Sequence, residues 1–254
     1  MAREGSSIDK ALTVLEAIAE HHRVTDIAVA TGVSKSTVHR ILQSLVEWGF
    51  ARSDGNGGYE PGPRILTLAG RVMNRFDPAS QASGALNALH ERIGFTTHFA
   101  IRSGDEAVYV SKLEGRRPYQ MPSRVGMSLR LHCTAIGKAI LSCLPADEIR
   151  GICDRTGLPG RTPNTLTTVE DLMAHLAGVR ARGYAVDDEE NLPEVLCVAA
   201  PVFDHTGRVF GGISVSALKM DMTREELERL APEVVSAARE VSAALGAPAG
   251  IPGR

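Results

Sequence analysis

The stretch VTDIAVATGVSKSTVHRILQSL, residues 24–45, constrains this chain more than any other. Two amphipathic patterns meet there at one glycine, and each is too short to hold a helix in isolation. The first carries Ile27, Ala28 and Ala30, with Thr25 placed as its cap. The second carries Val38, Ile41, Leu42 and Leu45 behind a cap at Ser34. Gly32 supplies the left-handed residue that ends the first helix. Helices this short must share a core with something else. The preceding SSIDKALTVLEAIAEH offers it, with Ile8, Ala11, Leu12, Leu15, Ile18 and Ala19 at helical spacing and Ser6 or Ser7 as cap. Next, FARSDGNGGYEPG reads as two short strands around an Asp-Gly/Asn-Gly turn. Three helices and a hairpin are complete by about Pro61.

A tight helix pair can serve packing alone, so its outer face decides. On the second helix Lys35, Ser36, Thr37, His39, Arg40 and Gln43 project away from the apolar stripe. A merely solvated face more usually carries Glu–Lys pairs. Arg suits guanine, Gln suits adenine, and the hydroxyls of Ser34, Ser36 and Thr37 suit phosphates. The helix N-terminus itself favours an anion. The glycine-tipped hairpin fits a wing that brings Arg52 to backbone phosphate. Charge sets a condition on this reading. Residues 1–75 hold 9 Arg and Lys against 8 Asp and Glu, and the whole chain is formally −2. Affinity for a duplex must therefore come from local placement and from dimerisation. Across the chain Arg outnumbers Lys 23 to 5, which in an Ala- and Gly-rich sequence reads as codon bias rather than phosphate recognition.

RILTLAGRVMNR returns to helical spacing through Ile65, Leu66, Leu68, Ala69 and Val72, a linker pattern. From about Asp77 the chain alternates helix and strand. ALNALHERIG is amphipathic, THFAIRSGDEAVYVSKLEG is a hairpin, and LRLHCTAIGKAILSCL runs from a strand into a helix capped by Thr134. TTVEDLMAHLAGVRARG is a helix with a Thr167/Glu170 capping box and a Gly183 stop. YAVDDEE, LCVAAPVFD and RVFGGISVSAL are strands, and a terminal helix boxed by Thr223 and Glu226 contains a kinking Pro232.

Three of these segments could build a pocket. The helix after Thr134 offers free amides at Ala135 and Ile136, a carboxylate site. Period two puts Ser214 and Ser216 on one strand face. Asp187 and Cys197 flank a loop and could add an acceptor and a small soft wall. Serine pairs and single cysteines also serve packing alone. The four cysteines form no CxxC pair, so reduced, buried thiols and no metal site are expected.

Enzyme chemistry lacks a motif. GGISVSA has no G-x-S-x-G elbow, IGKA has His132 where a phosphate loop needs glycine, and nothing fixes a histidine beside Cys197. No enzyme activity and no cofactor are expected. No apolar run reaches the ~18 residues of a membrane span. MAREGSSIDKAL has no apolar signal core, so the expected compartment is the cytoplasm, with no membrane partner.

Over residues 6–245 the chain resembles the IclR family of bacterial transcriptional regulators. The carriers are SSIDKALTVLEAI, TGVSKSTVHRILQSLVEWGF, TAIGKAIL and RGYAVDDEENLPEVLCVAAPVFDHTGRVFGGISVSA. The resemblance implies an α+β chain: a winged helix-turn-helix domain over 1–63, a linker helix over 64–76, and a PAS/GAF-like α/β effector-binding and oligomerisation domain over 77–246, with a flexible tail at 247–254. It implies a regulator, expected to be a repressor, that binds a double-stranded DNA operator as a homodimer or homotetramer and responds to a small organic or aromatic acid. The positions that match family effector pockets are Asp187, Cys197, Ser214, Ser216, Ala135 and Ile136, with Leu129 and Val195 as apolar wall. A C-terminal domain that only oligomerises is the alternative, and a small-molecule enzyme a further one. One departure stands out: the loop after the acidic run has Pro193-Glu194 where the family usually places a glycine.

Overall fold

The computed structural model describes residues 6–73 and 77–250. The last three positions of the expected linker helix, 74–76, and the last four of the expected tail, 251–254, lie outside the described residues, as do 1–5. The chain divides into two compact units, Met1–Phe76 and Asp77–Arg254.

The first unit contains α1 (Ser7–Ala17), α2 (Val24–Thr31), α3 (Lys35–Glu47), the hairpin strands β1 (Ala51–Ser53) and β2 (Tyr59–Pro61), and α4 (Pro63–Met73). Val14, Ile18, Ile27, Val38 and Leu42 are its fully buried centre, closed by Ala51 and Tyr59 from the hairpin. Ser6 caps α1 through a box with Asp9. Gly32 ends α2 at φ 68°. Thr25 does not cap α2, contrary to expectation. Its hydroxyl donates to Asp26, and the helix starts at Val24 because extended Arg23 bridges to Gly58 of the hairpin. At the hairpin tip the Asp54 carboxylate accepts from the amides of Asn56 and Gly58, both at 2.8 Å.

The second unit holds α5 (Pro78–Ile93), β3 (Thr96–Ser103), β4 (Glu106–Leu113), β5 (Ser128–Arg130), α6 (Ala135–Ser142), α7 (Ala146–Thr156), α8 (Val169–Arg182), β6 (Ala185–Asp188), β7 (Val195–Phe203), β8 (Val209–Leu218), α9 (Arg224–Arg229) and α10 (Ala231–Ala244). Its strands form one antiparallel sheet in the order β5-β4-β3-β8-β7-β6. Helices α5 and α10 pack on one face, and α6, backed by α8, packs on the other. The period-two strands divide accordingly: Phe99, Val198, Ile213 and Val215 belong to one face, and the even positions of β8 with the odd positions of β7 to the other.

Four further local features differ from the sequence reading. Thr168, not Thr167, caps α8, accepting from the Asp171 amide at 3.2 Å. Pro232 does not kink one helix: α9 ends at Arg229 and α10 begins at Ala231, since a proline is tolerated only in a first turn. Helix α7, which buries Ile149, Ile152 and Cys153, was not anticipated. Among the cysteines Cys143 is exposed and Cys197 only partly buried, where buried thiols were expected.

The departure at Pro193-Glu194 has a backbone consequence. Glu194 sits at φ 61° and Glu189 at φ 58°, the left-handed region that favours glycine. That conformation costs a non-glycine residue ~1–2 kcal/mol. Glycine returns ~0.5–1 kcal/mol of this through its looser unfolded chain. Glu194→Gly is thus expected to stabilise the protein by about 0.5–1 kcal/mol, read as a raised midpoint in urea. A lowered midpoint would mean that the Glu194 side chain contributes more than the strain removes.

Candidate nucleic-acid interface and effector site

Ser34 starts α3 by accepting from the Thr37 amide at 3.4 Å and donating to the Thr37 hydroxyl at 2.9 Å. Thr37 is therefore half-buried and engaged, whereas Lys35, Ser36, His39, Arg40 and Gln43 are exposed. Their spacing places them on one arc of the helix. The side chains of Lys35, His39 and Arg40 enter no hydrogen bond or ion pair among the described residues. Gln43 is held differently, its Nε2 donating to the Tyr59 hydroxyl at 3.0 Å. The hairpin thus orients the amide two turns into the helix, a role for Tyr59 that sequence reasoning missed. Arg52 faces Glu60 across the β1–β2 register, with Nε and Nη2 at 3.0 and 2.7 Å from one carboxylate oxygen. An exposed pair of this kind contributes little, so a phosphate can compete for the guanidinium.

In the second unit, strand register assembles what spacing left apart. Asp187 on β6 stands opposite Cys197 on β7, Cys197 opposite Ser216 on β8, and Ser216 opposite Thr96 on β3. The next row on the same face runs Ala185, Ala199, Ser214, His98, Lys112. Val195 lies one step beyond Cys197 on that face, and Leu129 joins it through Ala107 and Arg102. Ala135 and Ile136 open α6 above these strands, and Ile136 abuts Gly212. All eight residues singled out in sequence thus meet at one sheet face and its covering helix.

That face is largely buried and polar. Asp187, Ser214 and Ser216 are each under 5% exposed. The Cys197 thiol and Ser216 hydroxyl lie 3.1 Å apart. Burial pushes the thiol well above its usual value, so it stays protonated. Asp187 accepts from the amides of Glu190 at 2.7 Å and Asn191 at 3.3 Å. Burial, and then the Glu190 carboxylate, push Asp187 up to about 7, against Lys138 and those amides. Thr134 caps α6 through the Gly137 amide at 3.1 Å. The amides of Ala135 and Ile136 make no hydrogen bond among the described residues.

Two family profiles match the chain: "IclR helix-turn-helix domain" over residues 7–55, and "Bacterial transcriptional regulator IclR C-terminal" over residues 70–243. The chain belongs to the IclR family. The HTH-type transcriptional regulator XynR of Escherichia coli (strain K12) is 36% identical over 247 residues, 96% of this chain and 98% of XynR. The HTH-type transcriptional repressor AllR of the same strain is 31% identical, over 92% of this chain and 87% of AllR. Among solved structures, an IclR transcriptional regulator from Silicibacter sp. TM1040 superposes with a TM-score of 0.83 at 26% identity, covering 96% of this chain and 97% of that one. This IclR protein is therefore a transcriptional regulator, not an enzyme, with a winged helix-turn-helix unit and a C-terminal α/β unit. No helix among its described residues is long and apolar enough to cross a membrane.

The IclR protein carries residues beside this candidate site that sequence reasoning did not select. Lys138, fully buried on α6, pairs with buried Glu190, whose amide is the one that Asp187 holds. Lys112 donates to the carbonyls of Met121 and Ser123 at 2.7 and 2.6 Å, pinning the loop after β4 beside the polar face. His98 bonds Ser123 in that loop at 2.7 Å through Nε2 and stacks at a tilt on Tyr109, ring centroids 4.8 Å apart. Strand alternation places His98 on a face, but which face it is depends on register with β8.

Proposed function

We propose that this IclR protein is a repressor whose hold on a double-stranded operator changes when a small organic or aromatic acid binds beneath α6. Residues 1–63 read the DNA, 64–76 transmit, 77–246 sense and assemble, and 247–254 form a tail. The observation that carries the sensing half is the row Asp187–Cys197–Ser216, with Ser214 beside it, under two unsatisfied helix-start amides. Amides and hydroxyls hold the carboxylate, while Leu129 and Val195 supply apolar wall. AllR, a repressor, supports the sign of regulation.

Exposed Ile8 and Leu12 on α1, and Leu66 and Leu68 on α4, leave apolar stripes on the DNA-reading unit. They favour a homodimer, or a homotetramer of two such pairs, reading paired half-sites in the cytoplasm. Acid binding biases the assembled units between two arrangements, and the linker carries that to the spacing of the recognition helices. Ser34, Lys35, Ser36, Thr37, His39, Arg40, Gln43 and Arg52 form the contact set. Arg40→Ala is expected to weaken operator binding by about 1–3 kcal/mol at fixed salt. Unchanged affinity in a fluorescence-anisotropy titration would remove Arg40 from that set.

A thermal-shift screen of the full chain against small organic and aromatic acids, with Ser214→Ala and Asp187→Ala alongside, tests the sensing half. An acid at ~100 times its dissociation constant adds roughly 2.7 kcal/mol. Both variants should lose that shift. The enclosure of the polar face favours a second reading, in which the C-terminal unit only oligomerises, and a screen without any stabilising acid would select it.

The binding carries a pH signature. An anion beside Asp187 favours its protonated form, and that form is fully present only below about 7. Affinity for an acid should therefore be constant below pH 6 and fall by up to about tenfold per unit above pH 7. Calorimetry from pH 5.5 to 8.5 checks this, and a flat profile would place the acid away from Asp187.

A further inference from the structure

We propose that His98 and Tyr109 form a second polar pole of the effector site, one that pairs with a hydroxyl on the bound acid and so selects hydroxy acids over their deoxy counterparts. This rests on the acid-sensing reading above. His98 lies directly opposite Ser214 in the β3–β8 register, 2% exposed. Its Nε2 is occupied by Ser123, and its Nδ1 is buried with no hydrogen-bond partner among the described residues. A ring nitrogen rarely stays unpaired in a buried site unless something else completes it. Tyr109 stands opposite Ala100, two residues along the same face, and its hydroxyl makes no hydrogen bond among the described residues. Burial, and then the neighbouring Cys197 and Asp187 of the first row of the site, push the phenol up, so its hydroxyl keeps its proton.

The chemistry of this pole defines the group it takes. Burial, and then the Lys112 ammonium, lower His98 to about 3, so the imidazole is neutral at pH 7. Lys112 itself is spent on Glu114 at 2.7 Å and on two loop carbonyls. Among the described residues a second carboxylate would find no free cation beside His98, which argues against diacids. A hydroxyl both donates and accepts, so it satisfies Nδ1 in either imidazole tautomer while accepting from Tyr109. A keto oxygen accepts only and satisfies one tautomer.

The test is calorimetry on the full chain with three matched pairs: glycolate and acetate, lactate and propionate, mandelate and phenylacetate. In the wild type at least one hydroxy acid should bind about tenfold more tightly than its partner or better. Tyr109→Phe removes one hydroxyl that makes no hydrogen bond among the described residues, and it should bring that ratio at least threefold closer to one. His98→Phe should erase the ratio, and His98→Gln, which keeps a donor and an acceptor, should restore part of it. Equal binding within every pair, or a ratio that survives in Tyr109→Phe and His98→Phe, would overturn the proposal while leaving the acid-sensing reading intact. Six acids that all fail to bind the wild type would overturn both.

Discussion

Lys138→Met is expected to cost about 3–5 kcal/mol of stability, far more than a surface charge is worth. Lys138 is fully buried and its only ion-pair partner among the described residues, Glu190, is nearly so. Burial pushes the Lys138 pKa down and the Glu190 pKa up, each partly restored by the other. Removing the ammonium strands a carboxylate in a buried site. The loop that holds Glu190 is also the loop that holds Asp187, through the Glu190 amide, and Thr165 closes it by donating to the Glu190 carbonyl at 2.6 Å. Acid response should be lost with the stability. The sign with pH follows from Glu190. Its folded pKa lies above its unfolded value, so the penalty is small below the unfolded value and grows as pH rises toward the folded one. Urea denaturation should show a smaller deficit at pH 5 than at pH 8. Lys138→Met with Glu190→Leu should recover most of the loss, because an apolar pair can replace a buried ion pair. A single-variant deficit under 1 kcal/mol would mean that water reaches Glu190.

Gly137→Ala should destabilise the protein by roughly 2 kcal/mol or more, although alanine is the better helix former by ~1 kcal/mol. Gly137 lies in the first turn of α6, and a Cβ there would come inside 3.0 Å of the Cα, carbonyl carbon and oxygen of Leu131. These are backbone atoms and cannot swing aside as a flexible side chain could. The helix would have to lift from the sheet. That would displace the Ala135 and Ile136 amides and disturb the Gly137 amide's bond to Thr134. The expected result is a lowered urea midpoint together with a lost acid-induced thermal shift. A variant of normal stability that still responds to acid would show that α6 is not the anchor of the site.

How much of this was legible in the sequence follows from which interactions are local. The helix pair around Gly32, the caps at Ser34, Thr134 and Thr223, and the Ser214/Ser216 alternation depend on residues within a turn or two, and each appears as read, while of the two candidates Ser6 and Ser7 it is Ser6 that caps α1. Thr167 and Thr168 each have an acid three residues on, so spacing alone could not choose between them. Helix α7 leaves a weak trace in the sequence because its buried face is only Ile149, Ile152 and Cys153 among charged neighbours. The rows that bring Asp187, Cys197, Ser216 and Thr96 together depend on pairing among four strands, which no single strand encodes. The same holds for Gln43 with Tyr59 and Arg52 with Glu60, 16 and 8 residues apart. Lys138 was visible within TAIGKAIL, but its partner is 52 residues away. The missing glycine near 194 was legible as a departure, and its meaning, a glutamate held at positive φ, required the backbone.

The most direct test is fluorescence anisotropy of the full chain on a duplex selected by the protein from a random-sequence pool, at fixed salt, with and without the acid that stabilises it most. For a repressor released by its ligand, the expected result is operator affinity lowered at least about tenfold at saturating acid, a coupling of ~1.4 kcal/mol, with Ser214→Ala binding DNA normally and losing the response. Operator affinity that stays the same at an acid concentration that visibly stabilises the protein would contradict acid control of DNA binding.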